Sequence, residues 1–124
     1  MKILHTMIRV FDPEKSVRFY CDALGLEFKR RHDNPEKKYS LIFLGAPGDE
    51  NGAQIELTHN HDRSVPYELG DGYGHVAIAV DSIEELGKRL KEHGIEWSWW
   101  PGSGHMAFLE DPDGYEVEIL ERKG

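Results

Sequence analysis

With 124 residues, 39% of them hydrophobic, the chain is long enough to bury a core as one domain, and no apolar run in it is long enough to span a membrane. Its 23 acidic against 15 basic side chains leave a net charge of −8, which argues against nucleic acid or an anionic membrane as the main partner. A single cysteine, Cys21, excludes an internal disulfide, and Met1-Lys2-Ile3-Leu4-His5 runs into a strand pattern with no leader-like apolar stretch, so the expected location is the cytoplasm.

In chain order, the pattern predicts a strand over 3–10 and then a helix. Asp12 is placed to cap the helix, with Pro13 at its first position and Val17, Tyr20, Cys21 and Leu24 at helical spacing. Gly25 is a stop signal. Strands are expected near 26–31, 39–45 and 53–59, with a turn-rich loop over 46–52. A polar stretch over 60–73 leads to a strand at 75–80. Next comes a capping-box helix, Ser82-Ile83-Glu84-Glu85, with Ile83, Leu86 and Leu90 as its buried stripe and Gly94 as its end. Strands near 95–100, 105–110 and 115–121 follow, the last two joined by the turn Asp111-Pro112-Asp113-Gly114. The order β-α-β-β-β is thus read twice, in modules of about 1–66 and 67–124.

The repeat carries chemistry. Leu4-His5-Thr6-Met7-Ile8-Arg9-Val10 is echoed by Gly74-His75-Val76-Ala77-Ile78-Ala79-Val80, and each copy ends in a strand with a carboxylate among aliphatics, Glu56 or Glu118. Taken singly, a His at a strand start or a Glu on a half-exposed strand is ordinarily a solvated or satisfied residue. Carboxylates beside large aliphatics are costly unless paired or metal-bound, and two copies making the same costly choice point to one shared metal site. Two His and two Glu give a mixed N/O set that suits Ni²⁺, Co²⁺, Zn²⁺ or Fe²⁺ and gives no reason to favour Ca²⁺. His59 and His61 are expected to lie nearest that site, with His32, His93 and His105 as surface or supporting residues.

Several motifs together resemble the vicinal-oxygen-chelate superfamily and, within it, glyoxalase I. They are Leu4-His5-Thr6-Met7-Ile8-Arg9-Val10, Phe19-Tyr20, Leu24-Gly25-Leu26, Glu56-Leu57-Thr58-His59-Asn60, Tyr73-Gly74-His75-Val76-Ala77 and Ala107-Phe108-Leu109-Glu110-Asp111-Pro112-Asp113-Gly114-Tyr115. The resemblance implies an α+β fold of tandem βαβββ modules (glyoxalase/bleomycin-resistance-like), whose paired sheets form a metal-binding cleft in a homodimer. Each site would take one module from each subunit. It implies that His5, Glu56, His75 and Glu118 ligate one divalent metal with two waters in the open positions, Ni²⁺ or Co²⁺ being favoured by the short chain and Zn²⁺ the alternative. It also implies isomerisation of the hemithioacetal of methylglyoxal and a thiol through an enediolate, with Glu118 as base, Glu56 as its symmetric counterpart, and Arg9 and Asn60 on the γ-glutamyl part of glutathione.

Two stretches depart from the family pattern. Trp97-Ser98-Trp99-Trp100-Pro101-Gly102-Ser103-Gly104-His105-Met106 has no Lys or Arg where many relatives hold the glycine carboxylate. It resembles the shortened loop of trypanosomatid glyoxalases, which use trypanothione. Asn60-His61 also lacks the tryptophan common after that asparagine. Within the superfamily the rival readings are an epimerase or a thiol transferase, and outside enzymes a metal-free drug-binding protein. All four candidate ligands favour the lyase.

Overall fold

The computed structural model describes residues 1–122 and divides into two compact units, Met1–Tyr67 and Glu68–Gly124. The first contains β1 (His5–Arg9), α1 (Pro13–Val17) continued by a π-helical turn (Arg18–Ala23), β2 (Glu27–Asn34), β3 (Tyr39–Gly45) and β4 (Gln54–Asn60). Its sheet runs β1-β4-β3-β2, with β1 parallel to β4 and the other pairs antiparallel. The second contains β5 (His75–Val80), α2 (Ile83–Glu92), β6 (Met106–Glu110) and β7 (Glu116–Glu121), in a sheet of order β5-β7-β6 with β5 parallel to β7. Among the described residues no helix is long and apolar enough to cross a membrane.

The expected helix starts form for the expected reasons. The Asp12 carboxylate accepts from the Lys15 amide at 3.2 Å, with Pro13 at the first position where no N–H is needed. The Ser82 hydroxyl accepts from the Glu85 amide at 3.1 Å. The capping box is only half as drawn, however. The Glu85 carboxylate accepts from Lys88 at 3.2 Å, while the Ile83 amide donates 2.9 Å across to the Glu121 carboxylate of β7. A strand side chain therefore supplies that end of α2. Helix one departs from regular α geometry: the Leu24 amide reaches back to the Phe19 carbonyl at 2.9 Å, and Gly25 at φ 103 ends the segment.

Alternation assigns the faces. Ile8 and Val10, Ile42 and Leu44, and Ile55 and Leu57 are all buried and share one side of the first sheet. Val117 and Ile119 with Ala107 and Leu109 do the same in the second, and the buried stripe of α2 is Ile83, Leu86 and Leu90 as expected. Gly87 lies within that helix, where an added Cβ would lie 3.0 Å from the Trp97 indole nitrogen.

Two expectations need correction. β2 extends to Asn34, well past the expected end at 31, with a bulge between Phe28 and Arg30. Its polar end reads as loop, yet it is held by pairing with β3, by the Arg31–Asp33 ion pair at 3.0 Å and by Lys38 turning at φ 60. The strand expected near 95–100 is absent; only an isolated bridge joins Trp99 to Phe108. Ser98 and Trp99 both donate to the one Phe108 carbonyl, and Pro101, Gly102 at φ 89 and Gly104 at φ 96 end the pairing.

Asp33 ties three strand ends together, since the buried Ser40 hydroxyl both donates to it and lies 2.8 Å from His61 Nε2. That hydroxyl and the Arg31 guanidinium hold the Asp33 carboxyl below the usual carboxylate range. A value lowered by folding stabilises above the ordinary aspartate pKa of about 3.9, and the contribution is lost as pH falls through the folded-state value. We expect Asp33→Asn to lower the urea midpoint at pH 7 while narrowing the gap between pH 7 and pH 3; an unchanged gap would mean other groups set the acid sensitivity.

Candidate metal-binding site

In the first unit the parallel register pairs His5 with Gln54 and Met7 with Glu56, so His5 and Glu56 are diagonal neighbours on the face away from the aliphatic core. His5 Nε2 lies 3.4 Å from Glu56 Oε1, with the imidazole side chain 38% exposed and the carboxylate 12%. Phe43 is the antiparallel partner of Glu56, and its ring meets the His5 ring edge-on at 5.5 Å and 80°. The Arg30 guanidinium covers the same phenyl ring at 3.6 Å. The other Glu56 oxygen accepts from the Thr58 hydroxyl at 2.9 Å.

The second unit repeats the placement of the histidine, the carboxylate and the phenyl ring. His75 pairs with Glu116 and Ala77 with Glu118, which again makes His and Glu diagonal neighbours. His75 Nε2 lies 3.5 Å from Glu118 Oε1, with side-chain exposures of 40% and 14%. Phe108 is the partner of Glu118, and its ring meets His75 edge-on at 5.4 Å and 81°. A cleft of about 630 Å³ opens here, lined by His75, Trp99, Met106, Phe108, Glu110 and Glu116 among others. The Trp residues thus divide in role: Trp99 lines the cleft, while Trp97 and Trp100 rings lie against each other at 6.0 Å.

Each unit therefore presents one nitrogen and one carboxylate donor, held by a phenylalanine that fixes the imidazole plane. That donor chemistry fits a borderline divalent metal. Neither pair acquires a third ligand, and among the described residues no group of three or more His, Cys, Asp or Glu is arranged to hold a metal.

The remaining candidates fall less uniformly. Arg9 is exposed at the end of β1, on the His5 face and opposite Thr58. Asn60 closes β4 on the same face as Glu56, but its amide donates to the Tyr67 hydroxyl at 2.8 Å and so also anchors the following loop. His59, expected near the site, stands on the opposite face of β4, 3.4 Å from the Val10 carbonyl, and His61 is engaged with Ser40. One residue of alternation separates His59 from the donor face. Phe43 and Phe108 were not among the sequence candidates, although the repeated Phe-Leu of Ile42-Phe43-Leu44 and Ala107-Phe108-Leu109 is the signal that could have found them. Burial and Asp22 push the Cys21 thiol up to about 11, which keeps it protonated and unreactive near neutral pH.

The Glyoxalase/Bleomycin resistance protein/Dioxygenase superfamily matches residues 2–119. Lactoylglutathione lyase of Salmonella typhimurium is 42% identical over 128 residues, covering 99% of this chain and 94% of that protein. The Haemophilus influenzae lactoylglutathione lyase is 45% identical with the same coverage. Among solved structures, the trypanothione-dependent glyoxalase I of Leishmania major superposes with a TM-score of 0.89 at 40% identity, covering 98% of this chain and 86% of that one. Glyoxalase I from Zea mays gives 0.87 at 33% identity, covering 99% of this chain and 45% of that chain. The chain belongs to the glyoxalase/bleomycin resistance protein/dioxygenase superfamily and, within it, to the lactoylglutathione lyase (glyoxalase I) enzymes.

The two phenylalanines differ in burial, Phe43 being 3% exposed and Phe108 half-buried. We expect Phe43→Ala to cost about 3–5 kcal/mol in urea unfolding, and Phe108→Ala distinctly less. Equal losses would show that Phe43 is not the better-packed support.

Proposed function

We propose that the chain catalyses the glyoxalase I reaction, isomerising the hemithioacetal of methylglyoxal and glutathione, or a related thiol, to the S-lactoyl thioester. The observation that carries this is the repeated His–Glu–Phe constellation, His5–Glu56–Phe43 and His75–Glu118–Phe108, on matching strand positions of two modules. The proposal has His5, Glu56, His75 and Glu118 complete one shell around a divalent ion, Ni²⁺ or Co²⁺ in preference to Zn²⁺. A homodimer in the cytoplasm would build each site from one module of each subunit. Such an ion supplies Lewis-acid stabilisation for the oxygens of an enediolate.

The residues of the chain account for the proton. The Glu118 carboxylate takes the proton from C1 of the hemithioacetal and returns it to C2, ending as it began. Its side chain is 14% exposed, so most of the carboxylate faces protein rather than solvent. Arg9 supplies a cation for the γ-glutamyl carboxylate of the thiol, and Asn60 an amide beside it. The matching aromatic supports keep His5 and His75 from rotating, so the donor set is oriented before the substrate arrives.

The thiol itself has two readings. The cleft of the second unit carries Glu110 and Glu116. The stretch from Trp97 to Met106 supplies no cation. This lining favours a thiol with fewer anionic groups than glutathione, and the likeness to the Leishmania major enzyme supports the same reading.

Loss of the base is expected to lower kcat about 10²–10⁴-fold in Glu118→Gln, with circular dichroism unchanged; near wild-type turnover of the methylglyoxal–glutathione adduct would remove Glu118 from the role. Chelator-treated protein is expected to lose activity and regain most with Ni²⁺ or Co²⁺. Recovery with Zn²⁺ alone would reverse the metal preference. Comparing kcat/KM for the glutathione and trypanothione adducts decides between the thiols.

A further inference from the structure

The two halves of the donor set share their His–Glu–Phe geometry but differ in what holds the carboxylate. Thr58, two residues past Glu56 on the same strand face, donates its hydroxyl to Glu56 Oε2 at 2.9 Å while Glu56 Oε1 faces His5. The register places Thr58 between Arg9 and Leu41. In the second module the same row reads Ala79, Leu120 and Met106, so a leucine with no hydroxyl occupies the position beside Glu118. Burial does not explain the difference, since the two carboxylates are 12% and 14% exposed. Thr58 is itself only 9% exposed, which leaves its hydroxyl little water to exchange with.

We propose that Thr58 is a positioning residue that makes the two carboxylates functionally unequal, clasping Glu56 as the stationary ligand and leaving Glu118 as the one free to move. The inference rests on the site reading given above and adds to it the cause of the asymmetry. Rotating Glu56 toward a substrate breaks a charge-assisted hydrogen bond held in a shielded site, whereas rotating Glu118 breaks none from the equivalent neighbour. The proton taken from C1 therefore travels on Glu118 and is delivered to C2 from that side, which sets the handedness of the lactoyl product. With the clasp removed, either carboxylate can carry the proton and delivery occurs from both sides.

The test uses the full chain, stripped of metal and titrated with Ni²⁺ in a calorimeter, together with the D- to L-lactate ratio after thioester hydrolysis. Thr58→Val keeps the shape and loses the donor. It is expected to weaken Ni²⁺ binding about tenfold, as is usual for loss of a group that orients a ligand. The minor lactate enantiomer should rise in the same variant, and Thr58→Ser should restore both readings. The mirror variant, Leu120→Thr, places a hydroxyl beside Glu118 and should lower kcat about tenfold without weakening Ni²⁺ binding. Wild-type Ni²⁺ affinity and lactate ratio in folded Thr58→Val overturn the proposal. Should that variant fail to fold, unchanged kcat in Leu120→Thr does so. His5→Ala separates the two levels. If it binds Ni²⁺ like the wild type, the ligand set itself is wrong and Thr58 falls with it. If it loses Ni²⁺ while Thr58→Val does not change, only the role of Thr58 is lost.

Discussion

A carboxylate placed on a strand face, mostly hidden from water and next to a phenyl ring, is the constraint on which each module turns. Glu56 beside Phe43 and Glu118 beside Phe108 would cost free energy if left without partners. Each is instead aimed at an imidazole one register step away on the adjacent parallel strand. Parallel pairing makes this possible: it sets His5 and His75 on the same face as the carboxylate but offset along the strand, 3.4 and 3.5 Å from it. The edge-on phenylalanine then limits how the imidazole turns. The same two-residue alternation sends Ile55 and Leu57, or Val117 and Ile119, to the other side as core.

Duplication preserved that row and let its neighbours diverge. Beyond the first carboxylate lie Arg9 and Thr58, a cation and a hydroxyl, whereas beyond the second lie Ala79, Leu120 and Met106. Beside His5 stands Gln54, but beside His75 stands Glu116, opposite Glu110. The His–Glu–Phe geometry is thus repeated between the modules, while the lining beside it differs.

Periodicity was strong enough to expose the two modules, their helix caps and the His and Glu of each, because these depend on spacing within one strand or one turn. It was weaker where pairing overrides composition. The polar end of β2, His32-Asp33-Asn34, carries no strand pattern and is extended through its pairing with β3. The stretch around Trp97-Ser98-Trp99 carries a strand-like pattern and forms a single bridge, because Pro101 and the left-handed glycines stop the ladder.

The sequence alone therefore determined which residues recur: one histidine and one carboxylate in matching positions of each module, on an acidic chain. Only the tertiary structure decided how those residues are supported. Contacts across strands joined Phe43 to His5 and Phe108 to His75, sent His59 to the far face, gave the Ile83 amide to Glu121 instead of a local cap, and set Thr58 on Glu56 with no counterpart on Glu118. The reason is physical. Spacing along a strand settles which face a side chain takes, but its neighbours on that face come from other strands, and register is fixed by the burial of the whole sheet.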